Sequence, residues 1–176
     1  MGRRKAVLAA AAGVALVGLG YALLEKRPGY GAYYGIAKLT AARLDLGPVD
    51  FDTLMRRTSP NDALVCASDH CPNAKPDWIA KAYDMAPTEL LSRLTKVALA
   101  EPRTQQLEAG GGRDRTARFV QYSRIMRYPD TIDAEVFAVG QGKSSLAIYS
   151  RSLVGNGDFG VNRARLVRWL AALDQS

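Results

Sequence analysis

Histidine is almost absent from this sequence, and cysteine is nearly as scarce. The 176 residues include one histidine and two cysteines. A single imidazole excludes metal sites that need several histidine ligands, and it makes any Ser-His-Asp arrangement depend on His70. Two cysteines are too few for a scaffold held together by several disulfides. We therefore expect no cofactor and no bound metal, and neither a metalloenzyme nor a disulfide-rich secreted domain.

Basic side chains only slightly outnumber acidic ones. The sequence has 24 basic and 17 acidic side chains, a net charge of +7. Without Arg3, Arg4 and Lys5, which precede a long uncharged run, the net charge is +4. An excess this small does not indicate nucleic-acid binding, and it suits attraction to an anionic membrane surface better.

The uncharged run, residues 6–24, is typical of a transmembrane helix. As a helix, its 19 residues would span about 28 Å at about 1.5 Å per residue, enough to cross the hydrocarbon core. Basic residues are more numerous before it than after it, which predicts that residues 1–5 are cytoplasmic and that the chain leaves the cytoplasm after residue 24. A cleaved signal peptide is the alternative, but those runs are shorter and end in a small-residue cleavage site.

Residues 25–60 are interpreted as a membrane-proximal connector. This segment combines helix-breaking residues with tyrosines, which favour the lipid–water interface: Pro28, Gly29, Gly31, Gly35, Tyr30, Tyr33 and Tyr34. A short helix over residues 32–44 either lies on the membrane or packs on the domain that follows.

Residues 61–176 are predicted to form one α+β extracytoplasmic domain. Helical periodicity marks residues 87–101 and 161–173, and strand patterns mark residues 103–108, 116–127, 132–138 and 144–151, with a turn at Pro129-Asp130. Short turns between neighbouring strands predict a single antiparallel sheet of three to four strands, flanked by the two helices and preceded by the one transmembrane helix. The predicted core is Leu90, Leu94, Ile132, Val136, Leu146, Ile148, Trp169 and Leu170, with Arg165 and Arg168 facing outward.

Two glycine motifs do not indicate nucleotide binding. Residues 155–160 match G-x-G-x-x-G, but a dinucleotide fold needs a parallel strand after the next helix, and the remaining 16 residues leave no room for one. Gly142-Lys143-Ser144 resembles the end of a phosphate-binding loop, but Phe137 stands where the first glycine belongs.

Cys66 and Cys71 lie close together in a segment rich in loop-forming residues. Outside the cytoplasm, two isolated cysteines most simply form one disulfide. A zinc site that includes His70 and a pair of free, buried thiols are the alternatives.

The densest polar cluster follows the last predicted strand. Arg151, Asp158, Asn162 and Arg163 surround the start of the final helix, where an arginine and unpaired backbone amides can hold an anion. The same residues suit a structural clasp in which Asp158 caps the helix or pairs with Arg151 or Arg163. They are the candidate binding residues, and no catalytic residue is assigned.

Four stretches together resemble the bacterial domain-of-unknown-function family numbered 1499 (DUF1499), over about residues 58–173. They are residues 61–66, Cys71-Pro72, residues 127–130, and Ile148–Ser152 with Gly155 and residues 158–165. Members usually carry an arginine after that glycine and a serine before the aspartate, where this chain has Asn156 and Gly157. The resemblance implies the fold and an N-terminal membrane segment, and it implies no settled activity.

These features predict a non-catalytic binding or assembly module of the bacterial cell envelope. Residues 6–24 would hold it in the inner membrane as a single-pass protein, with the domain in the periplasm and an envelope protein as a possible partner. One alternative is a hydrolase or lyase that uses Asp130 or Asp158 with Arg151 and Arg163. The other is an accessory subunit of an inner-membrane complex.

The topology is tested by a fusion of alkaline phosphatase to the C-terminus of the full chain. Because the basic residues favour a cytoplasmic N-terminus, we expect the fused phosphatase to be active in a bacterial host. An inactive phosphatase fusion together with an active cytoplasmic reporter would contradict the prediction.

Overall fold

The computed structural model describes residues 43–108 and 114–175, and in them six strands and two helices form an α+β domain. In chain order the elements are β1 (Asp62–Cys66), β2 (Trp78–Ile79), α1 (Pro87–Ala100), β3 (Thr104–Leu107), β4 (Thr116–Tyr122), β5 (Pro129–Gly140), β6 (Lys143–Ser152) and α2 (Val161–Leu173).

The sheet is larger than predicted and mixed rather than antiparallel. Its strand order is β2-β1-β6-β5-β4-β3, and among the strand pairs of the described residues only β1–β2 is parallel. The sequence pattern missed β1 because this strand has both faces covered, so its residues do not alternate between apolar and polar. Loop-forming residues on both sides of β1 also made a strand there harder to predict.

The predicted turn at Pro129-Asp130 is wrong, because both residues belong to β5. The chain turns earlier, over residues 123–128, where Arg127 has a positive φ of 54°. Pro129 is the first residue of its strand, a position where proline is tolerated. The predicted strand at residues 103–108 is confirmed as β3, and the hairpin between β5 and β6 is confirmed as well.

Both helices pack on one face of the sheet, and the main core lies between the two layers. The predicted core residues are confirmed as fully buried, apart from Leu170, which is partly buried at the edge of the same cluster. Phe119 of β4 meets Trp169 of α2 edge to face, with ring centroids 5.7 Å apart. Such aromatic contacts fix the helix against the sheet more specifically than aliphatic packing does.

The opposite face of the sheet is covered by residues 45–57 and by the segment between β1 and β2. Phe51 and Leu54 pack with Leu64 and Tyr149 and with the disulfide between Cys66 and Cys71. The predicted disulfide is thus confirmed, and the zinc and free-thiol alternatives are wrong because both sulfurs are joined. The sequence predicted that the domain starts at residue 61, but Phe51 and Leu54 already pack in its core.

None of the helices in the described ranges is long and apolar enough to cross a membrane. The predicted transmembrane segment, residues 6–24, lies outside the described residues, and so does nearly all of the predicted helix over 32–44.

The role of Trp169 in the core is tested by a pair of substitutions. Trp169→Ala removes a fully buried ring, and we expect it to lower the free energy of unfolding by about 3 to 5 kcal/mol. The indole N–H has no hydrogen-bond partner among the described residues. Trp169→Phe should therefore cost clearly less, since it leaves a smaller cavity, keeps an aromatic ring and removes an unpaired donor. If urea unfolding shows the same loss of unfolding free energy for both variants, packing of the ring does not hold α2 on the sheet.

Candidate functional site

The four predicted site residues do not form one cluster. Ser150 and Arg151 are neighbours in β6, and successive side chains of a strand point to opposite faces of the sheet. Ser150 therefore faces the helices, while Arg151 faces the segment that covers the other side. Asp158 and Asn162 contact each other on the helix side, and Arg163 lies on the surface of α2.

Asp158 organises the entry into α2, as the clasp interpretation required. Its carboxylate accepts hydrogen bonds from the backbone N–H of Gly160 at 2.9 Å and of Asn162 at 2.8 Å, and from the side-chain amide of Asn162 at 2.8 Å. It thereby satisfies amide groups that a helix start leaves without partners. The predicted pairing with Arg151 or Arg163 is wrong, because these arginines contact other groups.

Arg163 contacts the segment that carries β2. Its Nη1 lies 3.5 Å from Asp77 Oδ1, and its guanidinium stacks over the ring of Trp78 at 4.3 Å from the centroid. A cation held over an indole ring gains modest stability at an exposed site. The contact joins α2 to the edge of the sheet.

The centre of the polar cluster is Arg165, which the sequence pattern placed outward. Arg165 is 1% exposed, so the outward assignment is wrong. Its guanidinium donates to Gln121 Oε1 at 2.6 Å, Ser150 Oγ at 2.7 Å, Asn162 Oδ1 at 2.5 Å and Asp130 Oδ2 at 2.7 Å. These acceptors lie on β4, β6, α2 and β5, so one side chain connects α2 with three strands.

Helical spacing gives only a partial signal for the burial of Arg165. It lies four residues before Trp169, and residues four apart share a helix face. The expectation that a charged side chain faces water outweighed that spacing. A buried arginine needs a set of polar partners, and those partners are far apart in the sequence.

Asn162 extends the buried network to β1. Its side-chain amide donates to the carbonyl of Asn61 and to Ser152 Oγ, each at 3.0 Å. Asn61 in turn donates to the carbonyl of Gly155 at 2.7 Å. The loop between β6 and α2 is therefore held at its first part by Asn61 and at its end by Asp158.

A second charged group lies on the opposite face, around Asp133 of β5. Arg118 Nε donates to Asp133 Oδ1 at 2.7 Å, and Arg118 Nη2 donates to Asp45 Oδ1 at 2.7 Å. Arg151 Nη2 donates to the carbonyl of Gly47 at 2.8 Å. Burial raises the pKa of Asp133, and Arg118 opposes that rise. For Asp45 burial acts to raise the pKa, but the hydrogen bond from Arg118 leaves it below its ordinary value.

Beside Asp133 is a groove of about 230 Å³, lined by residues 48–51, 116–118 and 133–135. Asp133 Oδ2 is buried and accepts no hydrogen bond from the described residues, although Arg151 Nη2 lies 3.8 Å away. At the groove's edge Glu135 lies 3.6 Å from His70, whose ring stacks on Phe137. Of these groups, the partly exposed carboxylate of Glu135 can accept a hydrogen bond from a small polar molecule, whereas the Arg165 network is closed on itself.

A family model described as "Protein of unknown function (DUF1499)" matches residues 56–173. The matched range contains all six strands and both helices described above, and it agrees with the resemblance noted in the sequence. No curated protein is significantly similar to the chain.

The structural importance of the Arg165 network is tested by comparing two arginines of α2. Arg165→Met leaves the carboxylate of Asp130 buried without its cation, and we expect it to lower the free energy of unfolding by about 3 to 5 kcal/mol. Arg168 is the matched control, because its side chain is 52% exposed and paired with Glu101. Arg168→Met should cost less than about 1 kcal/mol. If urea unfolding shows similar losses of unfolding free energy for both variants, the structural role assigned to the Arg165 network is contradicted.

Proposed function

The chain belongs to the DUF1499 family of proteins of unknown function, and on that premise we propose that it is a non-catalytic binding or assembly module. In this proposal residues 6–24 hold it in the bacterial inner membrane, and the α+β domain lies in the periplasm. The uncharged run and its basic flank support the location, and the Cys66–Cys71 disulfide suits an oxidising compartment.

The observation that carries the proposal is the position of Phe159. This side chain is 106% exposed, although it is the largest apolar residue in the loop between β6 and α2. Its backbone has a positive φ of 53°, which is unfavourable for a residue with a bulky side chain. Folding gains nothing from such an arrangement, whereas a binding surface needs exposed apolar side chains on a rigid support. The polar network of Asn61, Asp158 and Asn162 provides that support.

The hydrolase or lyase alternative has less support from the geometry. Asp130 is 5% exposed and its carboxylate is bonded to Arg165. Asp158 is occupied by three hydrogen bonds at the start of α2. Arg151 bonds to Gly47 and Arg163 contacts Asp77, so neither is paired with these two carboxylates. These residues hold the fold together, and a reacting group must instead be reachable by substrate.

The proposal is tested by photo-crosslinking of the full chain in living cells. A photo-reactive phenylalanine analogue is placed at position 159 and, as a matched control, at Val139, which is 47% exposed near the hairpin at the other end of the sheet. We expect a discrete protein or lipid adduct at position 159 and a much lower yield at position 139, because only the first lies on the binding surface.

Equal yields at the two positions, or no adduct at position 159, would contradict the binding role. A discrete protein adduct would also identify the partner that the accessory-subunit alternative requires.

A further inference from the structure

Two loops leave the same end of the sheet as neighbours. The loop over residues 123–128 joins β4 to β5, and the loop over residues 153–160 joins β6 to α2. Asp130 pairs with Ser152 in the sheet, and the backbone N–H of Leu153 donates to the carbonyl of Pro129 at 3.2 Å. We call these two loops together the loop end of the domain.

The loop end presents large apolar side chains to solvent. Phe159 is fully exposed, and Ile125, Met126 and Tyr128 are each about half exposed. They stand on two loops that leave neighbouring strands of the sheet. Exposed apolar side chains of this kind can insert between lipid headgroups, and tyrosine and phenylalanine are suited to that interface.

The charges around the loop end are mainly positive. Arg124 is exposed in the first loop, while Arg57 and Arg103 donate to the carbonyls of Ser152 and Tyr122 at the same end of the sheet. A carbonyl carries no net charge, so these two bonds leave the guanidinium charges in place.

Two acidic side chains nearby are paired with arginines, whereas the carboxylate of Asp158 accepts hydrogen bonds only from neutral amides and keeps its negative charge beside Phe159. Asp62 is paired with Arg56, and Glu101 with Arg168. The hydrogen bond from Arg168 lowers the pKa of Glu101. Arginines still outnumber carboxylates at the loop end, and this excess of positive charge is complementary to an anionic bilayer.

The chain outside the described residues limits where the domain can go. The described part begins at residue 43, and the uncharged run ends at residue 24. The residues between them span at most about 65 Å even when fully extended. A domain tethered so closely meets the bilayer at a high effective concentration, so weak contacts are sufficient for docking.

We propose that the loop end docks on the surface of an anionic lipid bilayer, with Phe159 and Ile125 inserted among the headgroups and Arg124 contacting phosphate groups. This inference rests on the proposed function, because it names the partner of the same Phe159 surface. It favours lipid over a protein partner because the apolar side chains project from loops and basic residues outnumber acidic ones around them.

The experiment uses the full chain in nanodiscs whose lipids carry bromine atoms on the acyl chains, which quench tryptophan fluorescence on contact. Phe159→Trp and Ile125→Trp are the reporters, Val139→Trp is the control, and the emission of the unsubstituted chain is subtracted. In nanodiscs with phosphatidylglycerol, we expect at least about twofold stronger quenching for each reporter than for the control, since only the loop end reaches the bilayer.

Charge reversal tests the role of the anionic lipid. Arg124→Glu should weaken the quenching of the Phe159→Trp reporter, while Lys143→Glu, in the hairpin at the other end of the sheet, should leave it unchanged. Quenching should also fall in nanodiscs of phosphatidylcholine alone, because the headgroups there carry no net charge. Equal quenching in both lipids would overturn the anionic requirement.

Equal quenching at positions 159 and 139, or none at 125 and 159, would overturn the docking inference. A discrete protein adduct at position 159 in cells, without quenching in nanodiscs, would overturn it while leaving the binding module in place. Absence of both the adduct and the quenching would overturn the two proposals together.

Discussion

The fold depends on one buried guanidinium. Arg165 lies between the helix layer and the sheet, where an unsatisfied charge would cost more than most single contacts contribute. It is stabilised because Asp130, Gln121, Ser150 and Asn162 all reach it from different elements. The backbone ladders set the register of β4, β5 and β6, and the hydrogen bonds of Arg165 fix α2 against all three strands.

The same network determines which part of the surface a binding partner can contact. The helices close one face of the sheet, and residues 45–57 with the disulfide segment close much of the other. Asn162, Asn61 and Asp158 connect the buried cluster to the loop between β6 and α2. That loop is glycine-rich, yet it is held at both ends, and it carries Phe159 into solvent. A rigid support beneath an exposed apolar side chain is the physical basis for our proposal of a binding module.

Most of the α+β frame could be predicted from the sequence because its elements have clear periods. The alternation from Ile132 to Ala138 predicts a strand, although the half-buried pattern is wrong because Asp133 is buried as well. The spacing of Leu90, Leu94 and Ala98 predicts the buried face of a helix. β1 and β2 could not be predicted this way. β1 is buried on both faces, and β2 has only two residues and depends on its parallel partner. Of the candidate site, Asp158 and Asn162 were found because a carboxylate before a helix start is a local signal.

The sequence by itself determined the local features: the two helices, the β5–β6 hairpin, the capping carboxylate, and the closeness of Cys66 to Cys71. Each follows from residues near one another in the chain, through backbone preference or periodic burial. Only the tertiary structure decided that Arg165 is buried, that Arg151 faces Asp133 instead of Asp158, and that the loops of Ile125 and Phe159 emerge together. These outcomes depend on strand register and on which strands become neighbours, and such long-range pairings leave no pattern in a short stretch of sequence.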